Sequence, residues 1–224
     1  MTTTDARQRI LAANESAART LRELFRSRGT LVLNLISSPG SGKTSLLEAT
    51  ARALRGELRM ACVVGDVATE LDADRLRAAG LPSHQIVTGG ACHLDARMVE
   101  TALRQAAFGD LDLLFLENVG NLVCPTAYDL GEDAKVALLS VAEGHDKPFK
   151  YPGIFAKAAV TVLTKLDLLG HVDFDLERAR TQILSLNPGA RVLPLSVRDG
   201  AGLDAWLGWL RARARACRAE ALRA

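Results

Sequence analysis

Apolar runs of strand length alternate along the chain with stretches in which apolar positions recur every three or four residues. The runs at 31–37 (LVLNLIS), 58–64 (LRMACVV), 112–117 (DLLFLE), 135–141 (KVALLSV), 159–164 (AVTVLT) and 191–195 (RVLPL) read as strands, with a shorter one at 85–88 (QIVT). Several are continuously apolar, as expected of strands covered on both faces. Helical spacing occupies 43–54, 70–79, 92–107, 173–186 and 203–221. Residues 4–28 form a further helix, with Ile10, Ala17, Leu21, Leu24 and Phe25 on one face and Gly29 as its stop. Strand and helix in alternation predict an α/β fold: a doubly wound, mostly parallel sheet. The expected organisation is an N-terminal helix, residues 1–30, packed on a domain spanning 31–224.

A length of 224 residues suits one such domain, with enough chain for a sizeable core. The net charge of +2 argues for neither nucleic acid nor an anionic membrane as partner. The Arg/Ala-rich end, RARARACRAEALRA, reads as the solvated end of the last helix. No apolar run is long enough to span a bilayer, and the start MTTTDARQRI lacks the apolar segment of a secretion signal. A cytoplasmic location is therefore expected. The cysteines are Cys62, Cys92, Cys124 and Cys217, with no C-x-x-C pair among them. Any metal site has to be assembled from distant positions.

The first strand runs into Ser37-Ser38-Pro39-Gly40-Ser41-Gly42-Lys43-Thr44, a phosphate-binding loop between a strand and a helix. Gly40, Ser41, Gly42 and Ser45 are expected to help cradle phosphate oxygens at the helix N-terminus. Lys43 should reach the β- and γ-phosphates and Thr44 should hold Mg²⁺. Ser37 stands where the general pattern has its first glycine. After strand 159–164, Thr164-Lys165-Leu166-Asp167 resembles the [N/T]-K-x-D base-recognition motif of GTPases. A carboxylate at Asp167 accepts from guanine N1–H and its 2-amino group, donors that adenine does not offer in that arrangement. Ser196-Val197-Arg198 resembles the last GTPase motif, whose backbone contacts guanine O6. GTP and GDP are the expected nucleotides.

Strand 112–117 ends in Glu117-Asn118-Val119-Gly120-Asn121, where ordinary GTPases carry D-x-x-G. Glu117 and Asp66 are two carboxylates at strand ends, expected to serve Mg²⁺ and water. Gly120 offers a backbone N–H to the γ-phosphate. Lys43, Asp66, Glu117 and Gly120 form the expected catalytic set, with Asp72 in the following switch-like segment. No arginine is assigned to the transition state, so low intrinsic turnover is expected. Cys92 and His93 stand at the start of helix 92–107, and Cys124 follows Gly120 by four residues. A Cys₂His set suits Zn²⁺ or Ni²⁺, and ligand type does not separate them. Cys62 is expected in the core. Cys217, His84, His145 and His171 are expected at the surface, and Trp206 and Trp209 in packing.

The phosphate loop, Cys92-His93, Glu117-Asn118-Val119-Gly120-Asn121-Leu122-Val123-Cys124-Pro125 and Lys147-Pro148-Phe149-Lys150-Tyr151-Pro152 together resemble the hydrogenase nickel-incorporation GTPases of the HypB family. The likeness runs from about Leu31 to Leu210. It implies a SIMIBI-class G domain and a GTP-dependent homodimer with metal at its interface. It also implies nickel delivery to [NiFe]-hydrogenase, with a nickel-binding accessory protein and the hydrogenase large subunit as partners. In this likeness Lys147–Pro152 is a switch or dimer-contact loop. Residues 1–30 hold no Cys and no His, so the nickel-storage sites common in the family are not expected there. The alternatives are a GTPase for urease or cobalamin-mutase maturation, a small-molecule P-loop kinase, and a passive metal-binding protein. The four-residue link from Gly120 to Cys124 suggests that nucleotide state controls metal affinity.

Overall fold

A computed structural model describes residues 3–67 and 70–223, without the side chains of residues 3–7 and 10. In chain order its elements are α1 (Thr3–Arg28), β1 (Leu31–Ser37), α2 (Lys43–Ala53), β2 (Met60–Asp66), α3 (Leu71–Ala78), β3 (Ser83–Val87), α4 (Ala96–Ala106), β4 (Leu113–Glu117) and α5 (Cys124–Ala127). There follow β5 (Ala134–Ser140), α6 (Lys147–Lys150), α7 (Pro152–Lys157), β6 (Val160–Thr164), α8 (Leu176–Leu186), β7 (Arg191–Pro194) and α9 (Leu203–Ala221). The strands form one sheet in the order β3-β2-β4-β1-β5-β6-β7, and every pairing is parallel. β1 is its centre, in register with β4 at Leu31↔Leu113 and with β5 at Leu33↔Ala134. Strand order reverses across β1, so the phosphate loop leaves the sheet where open α/β folds form their ligand crevice.

Side-chain alternation along the strands explains the two layers. Leu31, Leu33 and Leu35 of β1 join Cys62, Val64, Phe115 and Val136 in a cluster closed by α2, α3 and α9. Trp206 and Trp209 stack there at 5.5 Å, and the Trp206 indole donates to Thr50 Oγ1 at 2.9 Å. On the opposite face Val32, Val63 and Leu116 pack under α1 and α4, while Ile36, Leu139 and Leu163 pack under α7 and α8. α1 lies against α4 and α9. Among the described residues no helix is long and apolar enough to cross a membrane.

Several boundaries differ from the sequence expectation. The second strand starts at Met60, because the Arg59 backbone N–H and guanidinium are both engaged by Asp112. The fifth ends at Ser140, whose hydroxyl accepts from Ala142 N–H while Glu143 accepts from the Ser140 N–H; this capping box turns the chain into a 3₁₀ turn, Val141–Glu143. The fourth helix starts at Ala96, not residue 92, since the Asp95 carboxylate caps it by accepting from Met98 N–H at 2.8 Å. On α1, Leu21 and Phe25 are buried but Leu24 is exposed, and Asn14 and Ala18 complete the inner face; the Ile10 side chain lies outside the described residues. Cys217 is half-buried against the core, and its thiol is pushed up to about 11, chiefly by burial. His84 and His145 are half-buried, the latter accepting from Asp175 N–H. The Arg-rich end is not simply solvated: Arg211 pairs with Glu57 at 2.7 Å and Arg218 with Asp112 at 2.7 Å.

Candidate functional site

The phosphate loop is built by backbone that ordinary side chains resist. Gly40 (φ 73°) and Gly42 (φ 94°) take left-handed conformations, which turn the chain tightly from β1 into α2. Lys43 and Thr44, the first residues of α2, point into a cleft of about 460 Å³. Its walls also carry Gly40, Gly42, Ser45, Asp66, Asp72, Glu117, Asn118 and Gly120, so most of the residues expected around phosphate and Mg²⁺ share one cavity. Gly120 closes the approach of that segment to the loop. A Cβ there would stand 2.9 Å from Pro39 Cγ and 3.0 Å from Pro39 N.

Lys43 is almost fully buried and its ammonium donates to Ser37 Oγ at 2.9 Å. The serine in place of the first glycine thus holds the lysine in the cleft. Burial lowers the Lys43 pKa, and Glu117 opposes that shift. Glu117 accepts from Thr44 Oγ1 at 2.9 Å, while its other oxygen, Oε2, is buried and accepts no hydrogen bond among the described residues. Burial raises its carboxyl to about 7, against the pull of Lys43 and Thr44. A hydroxyl and an orphaned carboxylate oxygen beside Asp66 are the hard oxygen donors that Mg²⁺ prefers, so the residues present fit that ion.

The raised Glu117 pKa has a sign that can be tested. The unfolded chain loses this proton near the ordinary value of 4.5, and the folded, metal-free protein near 7. The stability it confers is complete below the lower value, falls as pH rises through the interval, and is lost above the upper one. Glu117→Gln is therefore expected to lose less stability than wild type between pH 5 and pH 8, by about 2 kcal/mol. Urea unfolding in chelator at both pH values measures this, and parallel curves for the two proteins would refute the assignment.

Thr164, Asp167, Ser196 and Val197, the residues expected to read the base, are not on the cleft wall; they form an adjoining cluster tied to the phosphate loop. Thr164 Oγ1 donates to Ser41 O at 2.7 Å, and Lys165, in a left-handed conformation (φ 61°), donates to Gly40 O at 2.7 Å. Ser196 Oγ donates to Asp167 Oδ1 at 2.7 Å. The Val197 side chain packs on the core, leaving its backbone for any ligand contact. The Ser41 hydroxyl turns away from the cleft, contacting Ser38 O at 2.8 Å and Glu143 Oε1 at 2.6 Å. Sequence reading passed over Glu143, whose only signal is its place in the capping box. It also passed over Arg75, which lines the cleft while bonded to Glu48, Asp72 and Ser45.

Cys92 and His93 stand on the loop between β3 and α4, and Cys124 opens α5 beyond Gly120. Their ligand atoms all lie within 4.8 Å of one another, and Cys92 Sγ is 3.6 Å from His93 Nδ1. Two thiolates around one tetrahedral ion stand roughly 3.8 Å apart, so a small closure would complete this set. Both thiols are free. Burial lowers the His93 pKa and favours the neutral imidazole that metals bind. The Tyr128 ring covers it at 3.9 Å between centroids. Among the described residues this is the one grouping of three His, Cys, Asp or Glu side chains whose ligand atoms converge this closely.

Residues 31–194 match the CobW/HypB/UreG nucleotide-binding domain. The hydrogenase maturation factor HypB of Azotobacter chroococcum is 49% identical over 222 residues, covering 96% of this chain and 73% of that protein. The Escherichia coli K12 HypB is 47% identical over 201 residues, covering 90% and 69%. The crystal structure of Helicobacter pylori HypB in complex with nickel superposes with a TM-score of 0.85 at 40% identity, covering 91% of this chain and 95% of that one.

Proposed function

This chain belongs to the HypB family of hydrogenase maturation factors, and we propose that it is a GTP-hydrolysing metallochaperone that carries nickel for [NiFe]-hydrogenase. One observation carries the reading: Cys92, His93 and Cys124 converge within 4.8 Å beside a cleft walled by the phosphate loop and by Glu117 to Gly120. Ni²⁺, or Zn²⁺ in its place, is cargo at this triad.

In the proposed chemistry GTP lies with its phosphates against the backbone of Gly40 to Ser45 and its guanine at Asp167. Ser196 orients that carboxylate through its hydrogen bond, and the Val197 backbone faces the base. Lys43 neutralises charge building on the β- and γ-phosphates as water attacks the γ-phosphorus. The Gly120 N–H donates to a γ-phosphate oxygen. Thr44, Glu117 and Asp66 would hold Mg²⁺, which would supply neutralisation of phosphate charge. GDP and phosphate are the products.

Three ligands leave one coordination position for water or for a second subunit. Val67, Leu71, Val123 and Phe149 are exposed apolar side chains on loops and short helices beyond the ends of β2 and β4 and after β5, which supports a GTP-dependent homodimer meeting at this edge. The accessory nickel protein and the hydrogenase large subunit belong to the same proposal, as does a cytoplasmic location. Because Cys124 hangs from Gly120, dimer formation or hydrolysis changes metal affinity and times nickel release.

The test is a Ni²⁺ and Zn²⁺ titration of the protein without nucleotide, with GDP and with a non-hydrolysable GTP analogue, following oligomer mass in parallel. Cys92→Ala and Cys124→Ala should each weaken metal binding roughly tenfold or more. Affinity should change between nucleotide states. Metal binding that ignores both substitutions would remove the cargo site from this triad while leaving the nucleotide chemistry intact.

A further inference from the structure

The two halves of the metal triad reach the nucleotide cleft by different routes. Cys124 follows Gly120 along the chain. Cys92 and His93 stand on the loop between β3 and α4, separated in sequence from Glu117 at the end of β4, and from Gly120, by all of α4 and the rest of that strand. Their connection to the cleft wall runs through a side chain. Asn118 is 1% exposed and sits between Glu117 and Val119. Its Oδ1 accepts from the Leu94 N–H at 3.0 Å and from the Val119 N–H at 3.0 Å. Leu94 is the residue after His93, so this hydrogen bond ends one residue from a metal ligand.

A second contact holds Leu94 from the same side. A Cβ added at Gly65 would stand 2.7 Å from Leu94 Cδ2, so the leucine is seated directly on the glycine's backbone. Gly65 precedes Asp66 and lines the cleft. Leu94 is therefore gripped through its backbone by Asn118 and through its side chain by Gly65.

The polar network continues behind Asn118. Asn118 Nδ2 donates to Asn34 Oδ1 at 3.1 Å, and Asn34 Nδ2 donates to Glu132 Oε1 at 3.3 Å. Glu132 pairs with Lys135, whose ammonium also donates to Tyr128 O at 2.7 Å. The Tyr128 ring lies on His93. The chain of contacts that starts at the cleft wall thus returns to the metal loop on its other side. Asn34 is fully buried, with only apolar residues around it in β1 from Leu31 to Ile36. Such an amide is costly unless its groups are satisfied, and this network satisfies them.

We propose that Asn118 is the positioning residue that couples the nucleotide segment to the Cys92–His93 half of the metal site. The inference rests on the nucleotide-controlled metal affinity proposed above and names the contact that transmits it. A displacement of residues 117 to 120 carries Cys124 through the chain and carries Leu94 through the Asn118 acceptor. Nucleotide state then acts on both halves of the site together.

The experiment measures Ni²⁺ affinity by chelator competition for wild type, Asn118→Ala and Asn118→Asp, each saturated with GDP and then with a non-hydrolysable GTP analogue. The quantity read is the ratio of the two affinities. Wild type should give about fivefold or more. Asn118→Ala should bring the ratio close to one, and Asn118→Asp should restore it, because the buried neutral acid keeps an oxygen that accepts from Leu94 and a hydroxyl that can donate to Asn34 Oδ1. A role limited to satisfying buried N–H groups would weaken both states alike and leave the ratio unchanged in Asn118→Ala; that result overturns the proposal. A wild-type ratio of one removes nucleotide control itself, and this inference with it, so the two failures are distinguishable. If Asn118→Ala does not fold, the Leu94 amide resonance of isotope-labelled wild type decides. It should shift between the two nucleotide states, and an amide indifferent to nucleotide overturns the coupling.

Discussion

Asp167→Asn should lower GTP affinity by about 10²- to 10⁴-fold and shift preference towards the xanthosine nucleotide. Asp167 is the second residue of a 3₁₀ turn, Leu166–His171, that follows β6, and Ser196 donates to one of its oxygens at 2.7 Å. The preceding residues are pinned to the phosphate loop through Thr164 to Ser41 O and Lys165 to Gly40 O. The carboxylate is thereby held at a set distance from the phosphate loop, which is what reading the base of a bound nucleotide would require. A carboxylate accepts two donors from guanine, N1–H and the 2-amino group, each worth about 1.5–3 kcal/mol when charge-assisted. The asparagine amide presents one oxygen and one NH₂, so it meets one guanine donor with a donor. Xanthine carries an oxygen at position 2, which that NH₂ can satisfy. Competition binding with GTP, XTP and ATP reads the outcome. Unchanged GTP preference would show that the base is read elsewhere and would reopen the kinase alternative.

Lys43→Ala should reduce GTP turnover by at least about 10²-fold and abolish hydrogenase maturation in cells. The ammonium is buried, bonded to Ser37 Oγ, and is the cation opposing the desolvated Glu117 carboxylate. In the proposed complex it meets phosphate oxygens whose charge grows in the transition state, where a preorganised donor in a water-poor site has its largest effect. Removing it also deprives Glu117 of the larger of its two opposing charges, Arg75 being the other, so Glu117 should stay protonated to still higher pH in the metal-free variant. Single-turnover hydrolysis and hydrogenase activity of a complemented strain are the measurements. Full maturation with Lys43→Ala would favour a passive metal-binding role, because the triad of Cys92, His93 and Cys124 is left untouched by that substitution.

Both predictions draw on contiguous motifs, which are legible in the sequence itself. The phosphate loop and Thr164–Asp167 are short windows whose chemistry depends on neighbours in sequence. The strands were readable for a similar reason: Leu31 to Ser37 and Val160 to Thr164 are apolar runs bounded by turn residues, and both form strands at the expected place. Boundaries were less readable where a side chain intervenes. Asp95 shortens the fourth helix by capping it, and that moves Cys92 and His93 from a helix end to a loop free to face Cys124. Exposure of helix ends was also missed, as at Cys217, since it depends on which element lies alongside.

Local spacing along the chain was enough to specify the alternating α/β order, the phosphate loop and the three candidate metal ligands, Cys92, His93 and Cys124. Such features arise from backbone periodicity and from residues that are neighbours in sequence, so no packing need be known. Packing across the sheet supplied the rest: the closeness of Cys92 and His93 to Cys124, the grip of Ser37 on Lys43, and the buried path from Asn118 through Asn34 and Glu132 to Tyr128. Asn34 shows why. In sequence it is only an interruption in an apolar strand, and its partners lie 84 and 98 residues away. A buried amide is tolerated only where distant groups meet its hydrogen bonds, and nothing within its own strand announces which groups those are.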